Sequence, residues 1–309
     1  MRSLSARSCA ALTVWGLLSV SPGRAAAQDS CGEREAPPGP LVSAEWLKRH
    51  RGDQGLVLLH AERKRAPIDS AHLAGARFIG MGSFTTRRGE LLTELPPVEQ
   101  LDSLLESLGV GDRGRIVLYG DILPVTRLYF TLDYLGLGDR VSVMDGGLPA
   151  WHAAGGAATA EATSTPLRTV LTVTPRPDLL ADAPWVDAHR KDAHVLLLDA
   201  RTKEEFAGTK LEEAVSRPGH IPGAVNLDWT ATMADGKFRD LDQLRQLLAG
   251  AGAAPGKEIV TYCRVGTRAS AIYFVARLLG YRARIYDGSM NEWASLTALP
   301  VAKSDPAKP

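Results

Sequence analysis

The stretch "VMDGGLPAWHAAGG" (Val143–Gly156) returns later in the chain as "IYDGSMNEWASL" (Ile285–Leu296). Each opens on two apolar residues, turns through Asp-Gly, and reaches a tryptophan six residues after the aspartate. Asp145 and Asp287 are 142 residues apart, and so are Trp151 and Trp293. Such self-similarity marks a duplicated structural unit. Upstream, "AHLAGARFI" (Ala71–Ile79) resembles "GHIPGAVNL" (Gly219–Leu227), and "GLVLLHAER" (Gly55–Arg63) resembles "HVLLLDART" (His194–Thr202). "RIVLYGD" (Arg115–Asp121) stands against "EIVTYCR" (Glu258–Arg264).

The repeat sets the architecture. Each half alternates short apolar runs with helical patterns, the signature of an α/β unit with a mostly parallel sheet flanked by helices. Runs such as "VLLLDA" and "IVTYC" lack alternation, as strands buried on both faces do. "LDQLRQLLAGAG" (Leu241–Gly252) has helical spacing and a glycine stop. Two tandem α/β domains are therefore predicted, over residues 41–154 and 167–303. The small, polar, unpatterned segment 155–166 is the predicted linker.

The remaining bounds come from composition. The chain has 309 residues, enough for two domains. Its formal net charge is +1, so bulk attraction to nucleic acid or acidic membrane is not expected. The first 27 residues read as a secretory signal: Arg2 and Arg7, then the apolar run Cys9–Val20, then Ala25-Ala26-Ala27. The run is too short to span a bilayer. The mature protein is expected to be exported, periplasmic or secreted, with no membrane segment. Of three cysteines, Cys31 and Cys263 would remain after cleavage. Two are too few for a disulfide framework, although they could pair as a redox lock.

Cys263 closes an apolar strand and is followed by Arg264, Val265, Gly266, Thr267 and Arg268, with a helix expected from near Ala269. A tight strand-to-helix turn aims successive N–H groups at its centre, forming an anion-holding nest. Those amides and the two arginines favour thiolate over thiol, and the thiolate is the nucleophile. Gly266 permits a backbone conformation that other residues resist. Arg268 opens a helix, where a cation opposes the macrodipole. It should need a compensating anion, either a bound donor or a nearby carboxylate. Phosphoryl transfer would require five residues between cysteine and arginine; here there are four. The smaller ring suits a single sulfur atom better than a phosphate.

These motifs together resemble the rhodanese family, specifically its tandem-domain thiosulfate and 3-mercaptopyruvate sulfurtransferases. The resemblance covers about Leu41 to Val301. In the second half it rests on "LLLDARTKEEFAG", "RPGHIPGAVNLDW", "VTYCRVGTRAS" and "IYDGSMNEWASL". It implies catalysis in the second half only, with Cys263 carrying a persulfide inside the loop Arg264–Arg268. The donor is expected to be thiosulfate and the acceptor cyanide or a thiol. Asp199 and Arg201 are expected to form a buried tie under the loop, His220 to fix a turn, and Asp287 to shape the loop's flank. Carrying the 142-residue offset back from Cys263 lands on Asp121, so the first half is expected to be a degenerate scaffold. Two cations common in thiosulfate-using members are replaced by Val265 and Glu205, leaving Arg264 and Arg268 to hold donor charge. Arg264 and Val265 also depart from the small residue and serine typical of mercaptopyruvate-using members. A non-catalytic rhodanese-like binding module and a phosphatase are the rival readings. No metal-ligand spacing, phosphate loop or dinucleotide fingerprint occurs, so no metal or organic cofactor is expected.

Overall fold

A computed structural model describes residues 39–64 and 71–304. The expected leader and Cys31 lie outside the described residues. Among the described residues no helix is long and apolar enough to cross a membrane.

The first half contains strands β1 (Leu41–Val42), β2 (Val57–Glu62), β3 (Arg77–Gly80), β4 (Thr86–Arg88), β5 (Leu91–Glu94), β6 (Ile116–Gly120) and β7 (Val141–Met144). Helices α1 (Ala44–His50), α2 (Val98–Ser107), α3 (Ile122–Tyr134) and α4 (Gly147–Ala153) are interleaved with them. The second half contains β8 (Leu180–Ala181), β9 (Val195–Asp199), β10 (Val225–Asn226), β11 (Met233–Ala234), β12 (Lys237–Phe238), β13 (Glu258–Tyr262) and β14 (Arg282–Tyr286). Its helices are α5 (Ala183–His189), α6 (Lys203–Ala207), α7 (Leu241–Gly250), α8 (Ala269–Leu278) and α9 (Ser289–Trp293).

Two five-stranded parallel sheets result, ordered β1-β7-β6-β2-β3 and β8-β14-β13-β9-β10. Matched element by element, the two orders are the same. Each half also carries one antiparallel hairpin, β4–β5 or β11–β12. The central strands are buried on both faces, which is why their sequences do not alternate. One face of each sheet packs into a common core across the α3–α8 seam, where Tyr129 meets Phe274 edge-on at 4.8 Å and Phe130 meets Tyr273 at 5.0 Å. Trp151 and Trp293 fill the cores on the opposite faces. Asp133 fastens the seam, accepting from Tyr273 at 2.7 Å and from Arg277 at 3.0 Å.

The connecting segment differs from its expected role. Residues 155–166 have little regular structure but are strapped to the first half: Thr159 bridges His72, and Thr163 Oγ1 donates to the Ala76 carbonyl at 2.7 Å. Residues 167–176, expected with the second half, also lie on the first. Leu171 N–H donates to Glu106 at 3.1 Å and Arg176 N–H to the Tyr134 carbonyl at 2.7 Å. An extended polar strap satisfies its backbone against a neighbour rather than within itself, so no periodicity announces it.

Candidate active site

Strand register fixes which residues of the two halves correspond. His60 pairs across to Tyr119, and Asp199 pairs across to Tyr262. The two tyrosines make the same bond, Tyr119 accepting from Leu73 N–H at 3.0 Å and Tyr262 from Ile221 N–H at 3.2 Å. The residue after Tyr262 is Cys263, and the residue after Tyr119 is Gly120. Gly120, not Asp121, is therefore the counterpart of Cys263, and Asp121 matches Arg264. The fixed offset misleads because the halves differ in loop length. Leu128-Tyr129-Phe130 in α3 corresponds to Ile272-Tyr273-Phe274 in α8, nine residues after Tyr119 but ten after Tyr262. The loop after β13 holds one extra residue, and the connection from α8 into β14 is two residues shorter than that from α3 into β7.

The loop Cys263–Arg268 has a one-sided polarity. Its carbonyls are all occupied: Cys263 accepts from Met290 N–H at 3.1 Å, Arg264 from Asn291 N–H at 2.9 Å and Gly266 from Ser270 N–H at 3.3 Å. The carbonyl of Thr267 accepts from Ser270 Oγ at 2.7 Å, that of Arg268 from Ala271 N–H at 3.2 Å, and that of Val265 from Thr93 Oγ1. Among the described residues, no acceptor meets the N–H groups of Arg264, Val265, Gly266, Thr267 or Arg268. Carbonyls turned outward and tied leave the amides for an anion. Cys263 is a free thiol and fully buried, so only a slender terminal atom of a donor can reach it. Gly266 has φ +83°, and a Cβ there would stand 2.4 Å from Asp287 Oδ1. Both conformation and space demand glycine.

The surrounding charges are arranged in pairs. Arg268 is bidentate to Glu205, at 2.6 and 2.7 Å. Glu205 is 1% exposed; burial pushes its carboxyl up, but the hydrogen bonds and charge of Arg268, with the Thr202 N–H, together bring it below the usual range. It also closes a capping box with Thr202 at the start of α6. The anion that Arg268 needed at a helix N-terminus is thus Glu205. The expectation that Arg268 offers free charge to a donor is corrected: its charge is neutralised within the protein. Arg264 meets only the Glu213 carbonyl, at 3.4 Å, and remains the loop arginine without a carboxylate partner among the described residues.

The expected supports fall around this loop. Arg201 grips Asp199 through Nε and Nη2, at 2.9 and 2.6 Å, and donates to the Gly219 carbonyl at 2.8 Å. The pair is buried at the end of β9. His220 bonds the Phe206 carbonyl through Nδ1 at 2.8 Å and stacks on Phe206 at 3.7 Å. Burial holds its imidazole below the usual range. Asp287 lies against the loop and is bound by Arg127 of the first half, Nη1 to Oδ1 at 2.5 Å.

Four contributors were not foreseen as such: Glu205, Arg127, Thr93 and Ser289. Ser289 sits at φ +52°, a strained value for a residue with a side chain. Its Oγ accepts from Cys263 N–H at 3.1 Å and donates to the Tyr286 carbonyl at 2.9 Å. The first half has Gly147 at the same φ. The exchange of Gly for Ser between "DGG" and "DGS" is the sequence signal that could have found it. Among the described residues no cluster of three His, Cys, Asp or Glu side chains could hold a metal ion.

Comparison with known proteins gives the family and the fold. The rhodanese-like domain family matches residues 182–296. A Mycobacterium leprae protein named "Putative thiosulfate sulfurtransferase" is 31% identical over 271 residues, covering 84% of this chain and 96% of that one. The "Sulfur carrier protein TtuD" of Thermus thermophilus is 32% identical over 288 residues, covering 87% and 99%. In fold, the chain is similar to a 3-mercaptopyruvate sulfotransferase from Escherichia coli (TM-score 0.73, 23% identity, 82% of this chain and 99% of the other). It is also similar in fold to the anaerobic ergothioneine biosynthesis enzyme of Chlorobium limicola (TM-score 0.77, 24% identity, 86% and 71%).

Proposed function

The chain belongs to the rhodanese family, and on that premise we propose that it moves a sulfane sulfur from thiosulfate to cyanide or a thiol through a persulfide on Cys263. The observation that carries this reading is the row of free amides from Arg264 to Arg268 around a buried cysteine. The Cys263 thiolate attacks the outer sulfur of thiosulfate. A new S–S bond forms, the old one breaks, and sulfite leaves with its electron pair. The persulfide's terminal sulfur then carries the negative charge, which the amides receive. A thiol or cyanide attacks that sulfur, and Cys263 leaves as thiolate.

Intact-mass analysis after exposure to thiosulfate tests this directly. One added sulfur atom is expected on the wild type and none on Cys263→Ser. Sulfite release by Cys263→Ser would refute the mechanism.

A second donor, 3-mercaptopyruvate, is favoured by one feature: the Arg268–Glu205 pair leaves Arg264 alone to face a dianion. A monoanionic donor asks less of the loop. The ratio of kcat/KM for the two donors separates these readings. The leader-like N-terminus extends the proposal to an exported protein, periplasmic or secreted.

A further inference from the structure

The half without the cysteine holds the loop that has it. Arg127 in α3 is fully buried and donates to both carboxylate oxygens of Asp287, at 2.5 and 2.9 Å. Its Nη2 also donates to the Thr93 carbonyl at 2.6 Å. Thr93, near the end of β5 away from the hairpin turn, donates through Oγ1 to the Val265 carbonyl. Thr93 has φ +58°, a conformation rare for a β-branched residue. Nearby, Leu95 N–H donates to Asp287 Oδ2 at 3.2 Å and Leu92 N–H to Asn291 Oδ1 at 3.0 Å. Asn291 in turn holds the Arg264 carbonyl.

Duplication explains only part of this. The hairpin bond is present in both halves: Leu95 N–H reaches Asp287, and Phe238 N–H reaches Asp145 at 3.0 Å. The arginine is present in one. With Tyr129 matched to Tyr273, the counterpart of Arg127 is Ala271. A buried guanidinium stands only beside the loop that carries Cys263. A Cβ on Gly266 would lie 2.4 Å from Asp287 Oδ1 and 3.2 Å from Arg127 Nη1, so the ion pair is a wall of the loop.

We infer that Arg127 and Thr93 are positioning residues for the persulfide loop. Thr93 pulls the Val265 carbonyl outward and Arg127 fixes both Thr93 and Asp287. Together they keep the loop amides aimed at the sulfur. The inference rests on the reading of Cys263 as the sulfur-carrying nucleophile.

The test uses the full chain with thiosulfate and cyanide. Thr93→Val removes the hydroxyl and keeps the shape. The double replacement Arg127→Met with Asp287→Asn removes both charges, so no buried ion is stranded. Thr93→Val should lower kcat about fivefold, the effect of one lost hydrogen bond. The double variant should lower kcat about a hundredfold, as a displacement of about 1 Å does. KM should change little, and thiosulfate should still load sulfur on Cys263 over long incubation. Arg127→Lys alone keeps the charge without the fork, and should recover only part of kcat. Wild-type loading with undiminished kcat in both variants would overturn the positioning role. So would kcat losses that merely follow the unfolded fraction measured by melting. A wild-type chain that never gains sulfur on Cys263 would overturn the parent reading and this one together.

Discussion

Two turns occupy the same place in the two sheets, one after β6 and one after β13, and they have opposite polarity. After β6, the chain's own acids use the amides. Asp121 N–H donates to Glu62 at 3.1 Å, and Leu123 N–H to Asp121 Oδ1 at 3.4 Å. Pro124 has no N–H to offer, and α3 starts at once from its Asp121 cap. After β13, the amides of five residues are free and the carbonyls are tied down. A scaffold and a site therefore differ here by one extra loop residue and by which side of the backbone is satisfied. The fold around them is the same.

The sharpest way to break this contrast is to move the cysteine. Gly120→Cys in a Cys263→Ser background places the thiol at the true counterpart position. It should carry no sulfur, because its cradle is already filled. It should also destabilise strongly. Gly120 has φ +130°, and a Cβ there would sit 2.3 Å from the Ala61 carbonyl oxygen. Backbone strain and displacement together should cost on the order of 3 kcal/mol or more. Intact mass after thiosulfate and a denaturant melt are the measurements. Sulfur gained at residue 120 would show that polarity of the turn is not what separates the halves.

Gly266→Ala keeps the cysteine and spoils the loop. The added Cβ must push Asp287 away or leave the left-handed region. Turnover should fall about a hundredfold and stability by roughly 1–3 kcal/mol. Steady-state kinetics beside a thermal melt would separate the two effects. An alanine variant with wild-type turnover would remove the tight-ring argument.

Much of this was legible in the sequence. Fold class, the duplication and the candidate nucleophile follow from apolar runs, from the two Asp-Gly…Trp stretches and from a cysteine in a glycine- and arginine-containing loop. Asp199, Arg201, His220 and Asp287 stand in recognisable strings. The correspondence Gly120–Cys263 was also present, since "RIVLYGD" and "EIVTYCR" align letter by letter with glycine opposite cysteine. A constant offset hid it, because the 142-residue spacing of the Asp-Gly…Trp landmarks becomes 143 at Tyr119 and Tyr262. The pairings of Glu205 with Arg268 and Arg127 with Asp287 span 63 and 160 residues. They join residues on different elements or in different halves, so no local pattern announces them. The strapped segment 155–176 is bound to its neighbour by long-range backbone and side-chain bonds, which no local pattern announces.

Arginine variants sharpen the contrast between charge that is spent and charge that is free. Arg264→Ala should lower kcat/KM for thiosulfate about tenfold, with the deficit shrinking as salt is raised. Arg268→Ala should act on stability instead. It strands the Glu205 carboxylate in the interior, at a cost of roughly 3–5 kcal/mol. Kinetics across ionic strength and melts of both variants test this. Equal kinetic defects without instability would show that Arg268 shares the donor's charge with Arg264.

The smallest expected effect is a slope. Glu94, at the end of β5, is 7% exposed, with Oε1 lacking a hydrogen-bond partner. Burial pushes its carboxyl up to about 7, the Asp287 charge adds to the rise, and Arg127 opposes it. Between the unfolded value near 4.5 and the folded value near 7, the folded chain holds a proton that the unfolded chain has lost. Folding stability from this group is therefore full below about pH 4.5 and is lost as pH rises through about 7. Glu94→Gln removes the titration, so the difference in stability between variant and wild type should drift by roughly 1–3 kcal/mol across that window. Asp145, the carboxylate facing the other hairpin, is also raised by burial, with the Phe238 amide and Lys237 holding it back. Asp145→Asn should therefore drift in the same sense, within the window set by its own titration. Urea melts from pH 4.5 to 8 on the three proteins would show it. A flat difference curve for Glu94→Gln would mean that the carboxylate beside Arg127 and Asp287 is already ionised in the folded protein. The wall of the Cys263 loop would then carry one more negative charge than the cluster described above.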